Sequence, residues 1–253
     1  MQRDTLVQAL WLDHANRQPD IAELKLWPET IRAEYLTLLT LSQGPCSAKA
    51  MMPRLAEHGY RPRHRYAMPE RGLLLTLLAT DMPHDTWLVL VEFQVATLAR
   101  RPRDLMQRLV DRTAPGSDSL PIGGRPWPMP AWNEYRLLEQ ADPLAGWLAI
   151  MGTRVHHAGF DCHQLDGPLE AFDRELARLG YVGNADRRHG VFPVSPLLDY
   201  RFYQGRPQRL CFAGGDRHDV PLGGLALIQQ RVNTNQERGV ELLLPQHALC
   251  ELG

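Results

Sequence analysis

The densest group of side chains that could bind a metal or exchange a proton lies in the segment 154–163. This segment is predicted to be a strand, and strand alternation then places His157 and Asp161 on one face and His156 on the other. Imidazole and carboxylate groups suit Fe, Mn or Zn. A structural zinc site that includes Cys162 is not expected, because a continuous strand directs the ligands to both faces.

Arginine stands at every second position from Arg61 to Arg65. A guanidinium group binds a carboxylate through two parallel hydrogen bonds, so a strand that carries this strip could hold a substrate anion. The predicted substrate-binding residues are Arg63 and Arg65. The alternative interpretation is a solvated strand edge.

Cysteine chemistry is a third interpretation, with Cys46 and Cys162 as the candidate nucleophiles. Buried cysteines more often pack as small apolar residues. The four cysteines form no C-x-x-C pair, and the first eight residues carry charge instead of an apolar signal core. These features predict a reduced, cytoplasmic protein.

Hydrophobic periodicity and Gly and Pro punctuation predict the elements that position these residues. The first half contains a helix at 4–16, a strand at 30–41, a helix at 47–58, and strands at 63–68, 72–80 and 86–95. A helix at 103–113, a Pro-rich linker at 114–130 and helices at 131–140 and 143–151 follow. The second half contains a strand at 154–162, a helix at 167–179, and strand-like runs at 190–194, 198–203, 209–212 and 225–232, one of them without a fixed register.

Both halves therefore follow the order β-α-β-β-β, at a spacing of about 120 residues, which indicates an internal duplication. The predicted fold is mixed α/β (α+β), with two such modules around a central groove that could hold a metal or a small ligand. The predicted boundaries are 1–28 for the N-terminal helix and lead-in, 29–113 for the first module, 114–151 for the linker and helices, and 152–253 for the second module, all in one compact unit.

The duplicated order, together with the segment from Trp147 to His157 (WLAIMGTRVHH), resembles the vicinal oxygen chelate superfamily. It resembles more closely the 2-oxoadipate dioxygenase/decarboxylase (hydroxyglutarate synthase) family, also in the segments 58–75, 88–95 and 126–130. The resemblance covers most of the chain. It implies a vicinal oxygen chelate fold, an Fe(II) ion held by two His and one Glu, and an Arg that binds the carboxylate of a 2-oxo acid.

Carried over by position, the second His of that family falls on His157. The first His falls on Tyr35, the substrate Arg on Leu39, and the Glu on Ala226 or Leu227. A facial triad needs three ligands, so the inherited imidazole alone does not hold iron. Leu39 also favours a ligand that is less acidic than a 2-oxo diacid or differently oriented, since it would leave a carboxylate unpaired.

A rearranged metal site is the first way to resolve this departure. His157, Glu92 and either Tyr35 or Asp161 could face one groove, because Glu92 lies on the first-half strand that corresponds to the strand carrying the family Glu. Fe(II) or another divalent metal would suit His and carboxylate ligands, whereas a phenolate favours Fe(III). The alternatives are that Glu92 pairs with an arginine and that Tyr35 is a core aromatic residue.

Two functions follow. The first is a diverged Fe(II)-dependent 2-oxo-acid dioxygenase/decarboxylase that acts on a small molecule in the groove. The second is a metal-free small-molecule-binding or accessory protein that kept the fold and lost the iron site. Enzymatic activity and oligomeric state stay open.

Composition excludes other partners. Lys and Arg number 28 and Asp and Glu 29, a balance that does not favour non-specific nucleic-acid binding. The most apolar stretch, from Gly72 to Ala79, is eight residues long, whereas a membrane span needs about 20. All but two of the basic residues are arginine, which is typical of a GC-rich bacterial genome.

Overall fold

Runs of leucine, valine and threonine build one mixed sheet, to which the described residues contribute eight strands. The structure is a computed structural model that describes residues 3–18, 32–82, 84–114, 120, 124–165, 167–179, 181, 192–195, 198–231 and 238–243. The strands of the large sheet are β1 (Tyr35–Leu41), β2 (Arg61–Met68), β3 (Leu73–Ala79), β4 (Trp87–Phe93), β5 (Arg154–Asp161), β6 (Phe192–Ser195), β7 (Leu198–Gln204) and β10 (Gly224–Gln230). A separate hairpin consists of β8 (Gln208–Cys211) and β9 (Arg217–Val220).

The described helices are α1 (Arg3–Arg17), α2 (Ala48–Glu57), α3 (Arg100–Asp111), α4 (Trp132–Ala141), α5 (Pro143–Met151), α6 (Leu169–Arg178) and α7 (Gly239–Leu243). Local chemistry fixes their ends. The Ser47 hydroxyl accepts a hydrogen bond from the Ala50 amide at the start of α2, and the Asp142 carboxylate accepts one from Leu144 at the start of α5. None of these helices is long and apolar enough to cross a membrane.

The order of strands in the sheet is β2-β3-β4-β1-β5-β10-β7-β6. In the first half β1 runs parallel to β4, and in the second half β5 runs parallel to β10. The two halves join where β1 and β5 pair antiparallel. Each strand of one half therefore has a counterpart at the same place in the other, which confirms the predicted duplication.

The hairpin is an insertion into the second half. The run 209–212, predicted as a strand, pairs with β9 instead of joining the large sheet. The fourth strand of the second module is β10, which lies beside β5 as β4 lies beside β1.

Each face of the sheet is covered by a different set of elements. The inner face packs against α3, α4, α5 and the hairpin, through residues such as Met106, Leu148 and Phe212. The outer face packs against α1, α2 and α6, through residues such as Leu10 and Met51. The inner face is therefore lined with apolar helices and is not an open groove along its whole length.

Candidate functional site

A β-bulge lies where the two halves of the sheet join. Thr37 of β1 pairs with His157 of β5, whereas the next residue, Leu38, pairs with Val155. His156 is thus the extra residue on β5, and two consecutive residues face one residue of the partner strand. A bulge interrupts the regular alternation of side chains.

The bulge brings two imidazoles together. The Nδ1 atoms of His156 and His157 are 2.8 Å apart, and both rings contact Phe202, with centroids 6.5 Å and 5.5 Å from its ring. The prediction that His156 points to the opposite face is therefore wrong, because strict alternation fails at the inserted residue. His157 is fully buried, and His156 is 9% exposed beside the indole of Trp147.

A hydrogen bond between two ring nitrogens holds one proton. When both rings are neutral, the donor imidazole carries its proton on Nδ1, and its Nε2 is unprotonated. The acceptor imidazole carries its proton on Nε2. The His156–His157 pair therefore offers one hydrogen-bond acceptor and one donor at its two Nε2 atoms, and a proton can pass between them.

Tyr35 lies across the strand boundary from this pair. It is fully buried, and its ring centroid is 6.1 Å from that of His157 with the planes at 89°. Tyr35 pairs with Gly159, where a Cβ atom would lie only 2.0 Å from the tyrosine ring. The absence of a side chain at Gly159 therefore makes room for the tyrosine, and the structure brings Tyr35 and His157 together.

β10 completes the row of residues across the sheet. Ala226 pairs with Gly159 and packs in the inner-face cluster, whereas Leu227 packs in the outer-face cluster. Of the two positions considered for the family Glu, Ala226 is the one on the same side as Tyr35. Its methyl group has no atom that binds a metal.

The structure does not bring Glu92 to His157. Its strand neighbours Val91 and Phe93 pack in the inner-face cluster, so alternation directs Glu92 to the other face. There its carboxylate accepts a hydrogen bond of 2.6 Å from the Gln94 amide. The duplication locates the strand correctly, but the register of one residue decides the face.

Asp161 lies at the end of β5, four residues beyond His157, a separation of about 13 Å along a strand. Its carboxylate accepts a hydrogen bond of 2.9 Å from the backbone amide of His163. It is half-buried and holds the turn that follows the strand. The structure gives it no contact with the His pair.

Arg63 and Arg65 are exposed on β2, at the edge of the sheet, with three strands between them and β5. The Arg63 guanidinium donates to the Thr80 carbonyl and pairs with the Asp81 carboxylate, each at 3.2 Å. These contacts are those of a solvated strand edge. The structure does not bring either arginine to His157.

The donor set does not fit a three-ligand metal site. Among the residues described here, no three His, Cys, Asp or Glu side chains lie close enough together to hold a metal ion. Tyr35 and the His pair adjoin each other, but the third strand of the row contributes Ala226. The Fe(II) triad implied by the resemblance therefore has no counterpart in this part of the chain.

The Cys162 thiol is not activated. Cys46 and Cys162 are buried free thiols. Burial, with the nearby charges of Asp161 and Glu170, raises the pKa of the Cys162 thiol to about 12. A thiol with such a pKa is protonated at neutral pH and is a poor nucleophile.

Sequence analysis did not identify His14 of α1 as part of this region. Its ring is 2% exposed, and its Nε2 lies 3.2 Å from the carbonyl oxygen of Gly224, to which it donates. Burial, together with His157, lowers the pKa of His14 to about 4. The imidazole is therefore neutral at pH 7 and ties the last turn of α1 to β10.

Comparisons with known proteins give a fold and no sequence family. No protein-family model matches the chain, and no curated protein matches it either. A Shewanella frigidimarina protein provisionally named as a hydrolase is 18% identical, with a TM-score of 0.81 over 93% of this chain and 95% of its own. Hydroxyglutarate synthase from Oryza sativa, solved with 2-oxoadipate, is 17% identical, with a TM-score of 0.79 over 92% of this chain and 86% of its own.

A Ralstonia eutropha protein provisionally named as a glyoxalase-superfamily member is 16% identical, with a TM-score of 0.72 over 93% of this chain and 85% of its own. The chain has the vicinal oxygen chelate fold. The duplicated sheet described above is that fold, and the predicted fold class is confirmed. Sequence identities this low establish the likeness of backbone alone.

Proposed function

We propose that this chain is a metal-independent member of the vicinal oxygen chelate fold that binds a small organic molecule at the His156–His157 pair. The Nδ1–Nδ1 hydrogen bond of 2.8 Å carries the proposal, because it assigns the polar edges of both rings. One Nδ1 is a donor to the other, so the remaining hydrogen-bonding capacity of the two rings lies at their Nε2 atoms.

The chemistry available to such a pair is hydrogen bonding and proton transfer. The unprotonated Nε2 of the donor ring accepts a proton from an acidic group of the ligand, and the shared Nδ1 proton then moves to the acceptor ring. Because His156 is the more exposed ring, it meets the ligand, and His157 takes part through the shared proton. Tyr35 and Phe202 supply the aromatic walls of this region.

An iron-dependent 2-oxo-acid dioxygenase/decarboxylase is the second candidate. It is favoured by the likeness of fold to hydroxyglutarate synthase and by the contact between His157 and Tyr35. In that case Fe(II) or another divalent metal would need His157 and Glu92 with either Tyr35 or Asp161. Neither carboxylate contacts His157 in this structure, which is why the metal-independent function is preferred.

The two candidates differ in bound metal. The protein should be purified without chelators, and its Fe, Mn and Zn content should be measured together with that of a His157→Ala variant. The metal-independent function predicts less than a tenth of an equivalent of metal in both proteins. A full equivalent that disappears in the variant would overturn the proposal in favour of the second candidate.

Ligand binding completes the test. Thermal unfolding of the metal-stripped protein should be followed with a panel of 2-oxo acids that starts with 2-oxoadipate. At least one compound should stabilise the wild-type protein, and His156→Gln should weaken that binding by tenfold or more. His64→Gln is the matched control, since His64 is an exposed imidazole on β2 that contacts Glu241. If His156→Gln binds the compound as tightly as the wild-type protein and the His64→Gln control do, the assignment of the site to the His pair is contradicted.

A further inference from the structure

The first residue of β5 is a buried arginine. Arg154 is 3% exposed, and its register partner on β1 is Leu39, which has no hydrogen-bond acceptor in its side chain. The Nε–H of Arg154 makes no hydrogen bond to any described residue. A guanidinium removed from water in this way is unfavourable unless anions or acceptors surround it.

Within the described chain, Asp13 is the one carboxylate that forms an ion pair with Arg154. Its Oδ2 lies 3.7 Å from the Arg154 Nε, beyond hydrogen-bond distance. Asp13 is shared, because its other oxygen lies 3.3 Å from the Nε of Arg17. The Asp13 carboxylate is therefore shared by two guanidinium groups. Its distances to both are longer than those of a bidentate Arg–carboxylate pair.

A third arginine adds to the positive charge. Burial lowers the pKa of Arg154 to about 10, with Arg17 and Arg125 acting in the same direction and Asp13 against it. Arg125 is held in place, since it donates from Nε to the Trp127 carbonyl and from Nη1 to the Ile150 carbonyl. Neither carbonyl carries a net negative charge, so Arg125 adds positive charge near Arg154 that no carboxylate shown here offsets.

The backbone confines the Arg154 side chain. Gly124 has a φ of +120°, and a Cβ atom at this position would lie 2.7 Å from Nη2 of Arg154. Gly124 thus packs directly on the guanidinium and leaves it little room to turn. The Asp13 and Arg17 side chains are 19% and 40% exposed, so the cluster is open to solvent at the last turn of α1.

We infer that Arg154, backed by the charges of Arg17 and Arg125, binds the carboxylate of a small organic monoanion. The planar fork of a guanidinium matches the two oxygens of a carboxylate. Arg154 lies two residues before His156 on β5, so the same ligand can meet the His pair. This inference rests on the proposed function and names the substrate class of that site.

The test compares a carboxylate with its neutral amide. Binding of pyruvate and of pyruvamide to the metal-stripped protein should be measured by calorimetry at constant ionic strength, up to 100 mM ligand. We expect the wild-type protein to bind pyruvate at least tenfold more tightly than pyruvamide. Arg154→Gln should abolish that preference, and Arg154→Lys should retain part of it, because it keeps the charge without the fork.

Asp13→Asn gives a test in the opposite direction. Removing the competing carboxylate should strengthen pyruvate binding by about threefold or more, whereas a purely structural role of the cluster predicts no gain. This variant keeps the inference falsifiable if Arg154→Gln fails to fold. Arg201→Gln is the control, because Arg201 is a mostly buried arginine that pairs with Asp173 elsewhere in the molecule.

Three results would overturn the inference: no saturable carboxylate binding, a preference for pyruvate that survives Arg154→Gln, or weaker binding in Asp13→Asn. The outcome is separable from that of the proposed function. A full equivalent of metal at His157 with an Arg154-dependent preference for pyruvate would refute the metal-independent function and leave the anion site intact. Metal-independent binding that needs His156 but shows no Arg154-dependent preference for pyruvate would refute the anion site and leave the proposed function intact.

Discussion

At the scale of single residues, the site depends on small departures from regular strand geometry. The sequence placed His157 and Tyr35 near the groove, and the structure brings their rings together. It also predicted that His156 faces away, and this failed because no residue pattern marks an inserted residue in a strand. His14 and Arg154 gave no signal, since their partners are distant along the chain.

Gly159 illustrates how one missing side chain shapes the site. A Gly159→Ala variant would place a methyl group 2.0 Å from the Tyr35 ring, so the ring or the strand must move. We expect the free energy of unfolding to fall by about 1–3 kcal/mol, as for other overpacked cores. Urea denaturation should measure the change. Tyr35→Leu should recover part of the loss in the double variant, and additive effects would argue against the contact.

His14 makes stability depend on pH. Its ordinary pKa of 6.5 applies in the unfolded chain, and burial lowers the folded value to about 4. Between these values the unfolded chain binds a proton that the folded protein does not, so stability from this group falls as pH decreases from 6.5 to 4. The loss should approach about 3 kcal/mol at pH 4, where each pKa unit corresponds to about 1.4 kcal/mol.

The measurement compares the wild-type protein with His14→Gln between pH 7 and pH 4. Glutamine retains a donor for the Gly224 carbonyl but does not titrate, so the difference between the two unfolding curves isolates the imidazole. The variant should lose less stability than the wild type on acidification. Parallel curves would show that His14 does not titrate in this range.

At the scale of elements, a buried ion pair connects α7 to the start of β1. The Arg238 guanidinium pairs with both carboxylate oxygens of Glu34, donates to the Asp85 carbonyl and lies 5.0 Å from the Trp87 ring centroid. The Glu34 side chain is 4% exposed and that of Arg238 is 18% exposed. Removing one partner would leave the other as an unpaired buried charge.

We therefore expect Arg238→Met to lower the free energy of unfolding by about 3–5 kcal/mol and to speed amide exchange in α7. The control is Arg63→Met, which breaks the exposed pair with Asp81 and should cost about 1 kcal/mol or less. Equal effects of the two substitutions on stability and amide exchange would show that the Arg238–Glu34 pair does not hold α7 against the start of β1.

Secondary structure was the part of the fold that periodicity predicted well. Strand-like runs bounded by Gly and Pro marked β1 to β5, and the helices predicted at 47–58 and 143–151 begin at or beside the capping residues Ser47 and Asp142. Register was not predictable in the same way. The face of Glu92 and the placement of the run 209–212 depend on pairing with residues far along the chain. These pairings arise from tertiary packing and leave no local pattern.

At the scale of the whole molecule, the duplicated order of elements predicted the fold before any coordinates. Joining the halves through β1 and β5 places Tyr35 and His157 side by side, although they are far apart in sequence. Of the three helices that cover the inner face, α4 and α5 come from the segment between the modules and α3 from the end of the first module. The packing of these helices decides how much of the inner face stays open as a groove. The amino-acid composition did not predict this packing.

We propose that ligand binding at the His156–His157 pair does not depend on a metal. The most direct test is the affinity for a carboxylate ligand such as pyruvate, measured before and after exhaustive treatment with EDTA and again after Fe(II) is added back anaerobically. We expect one dissociation constant, within a factor of two, in all three states. Binding that vanishes with the chelator and returns with iron would contradict it.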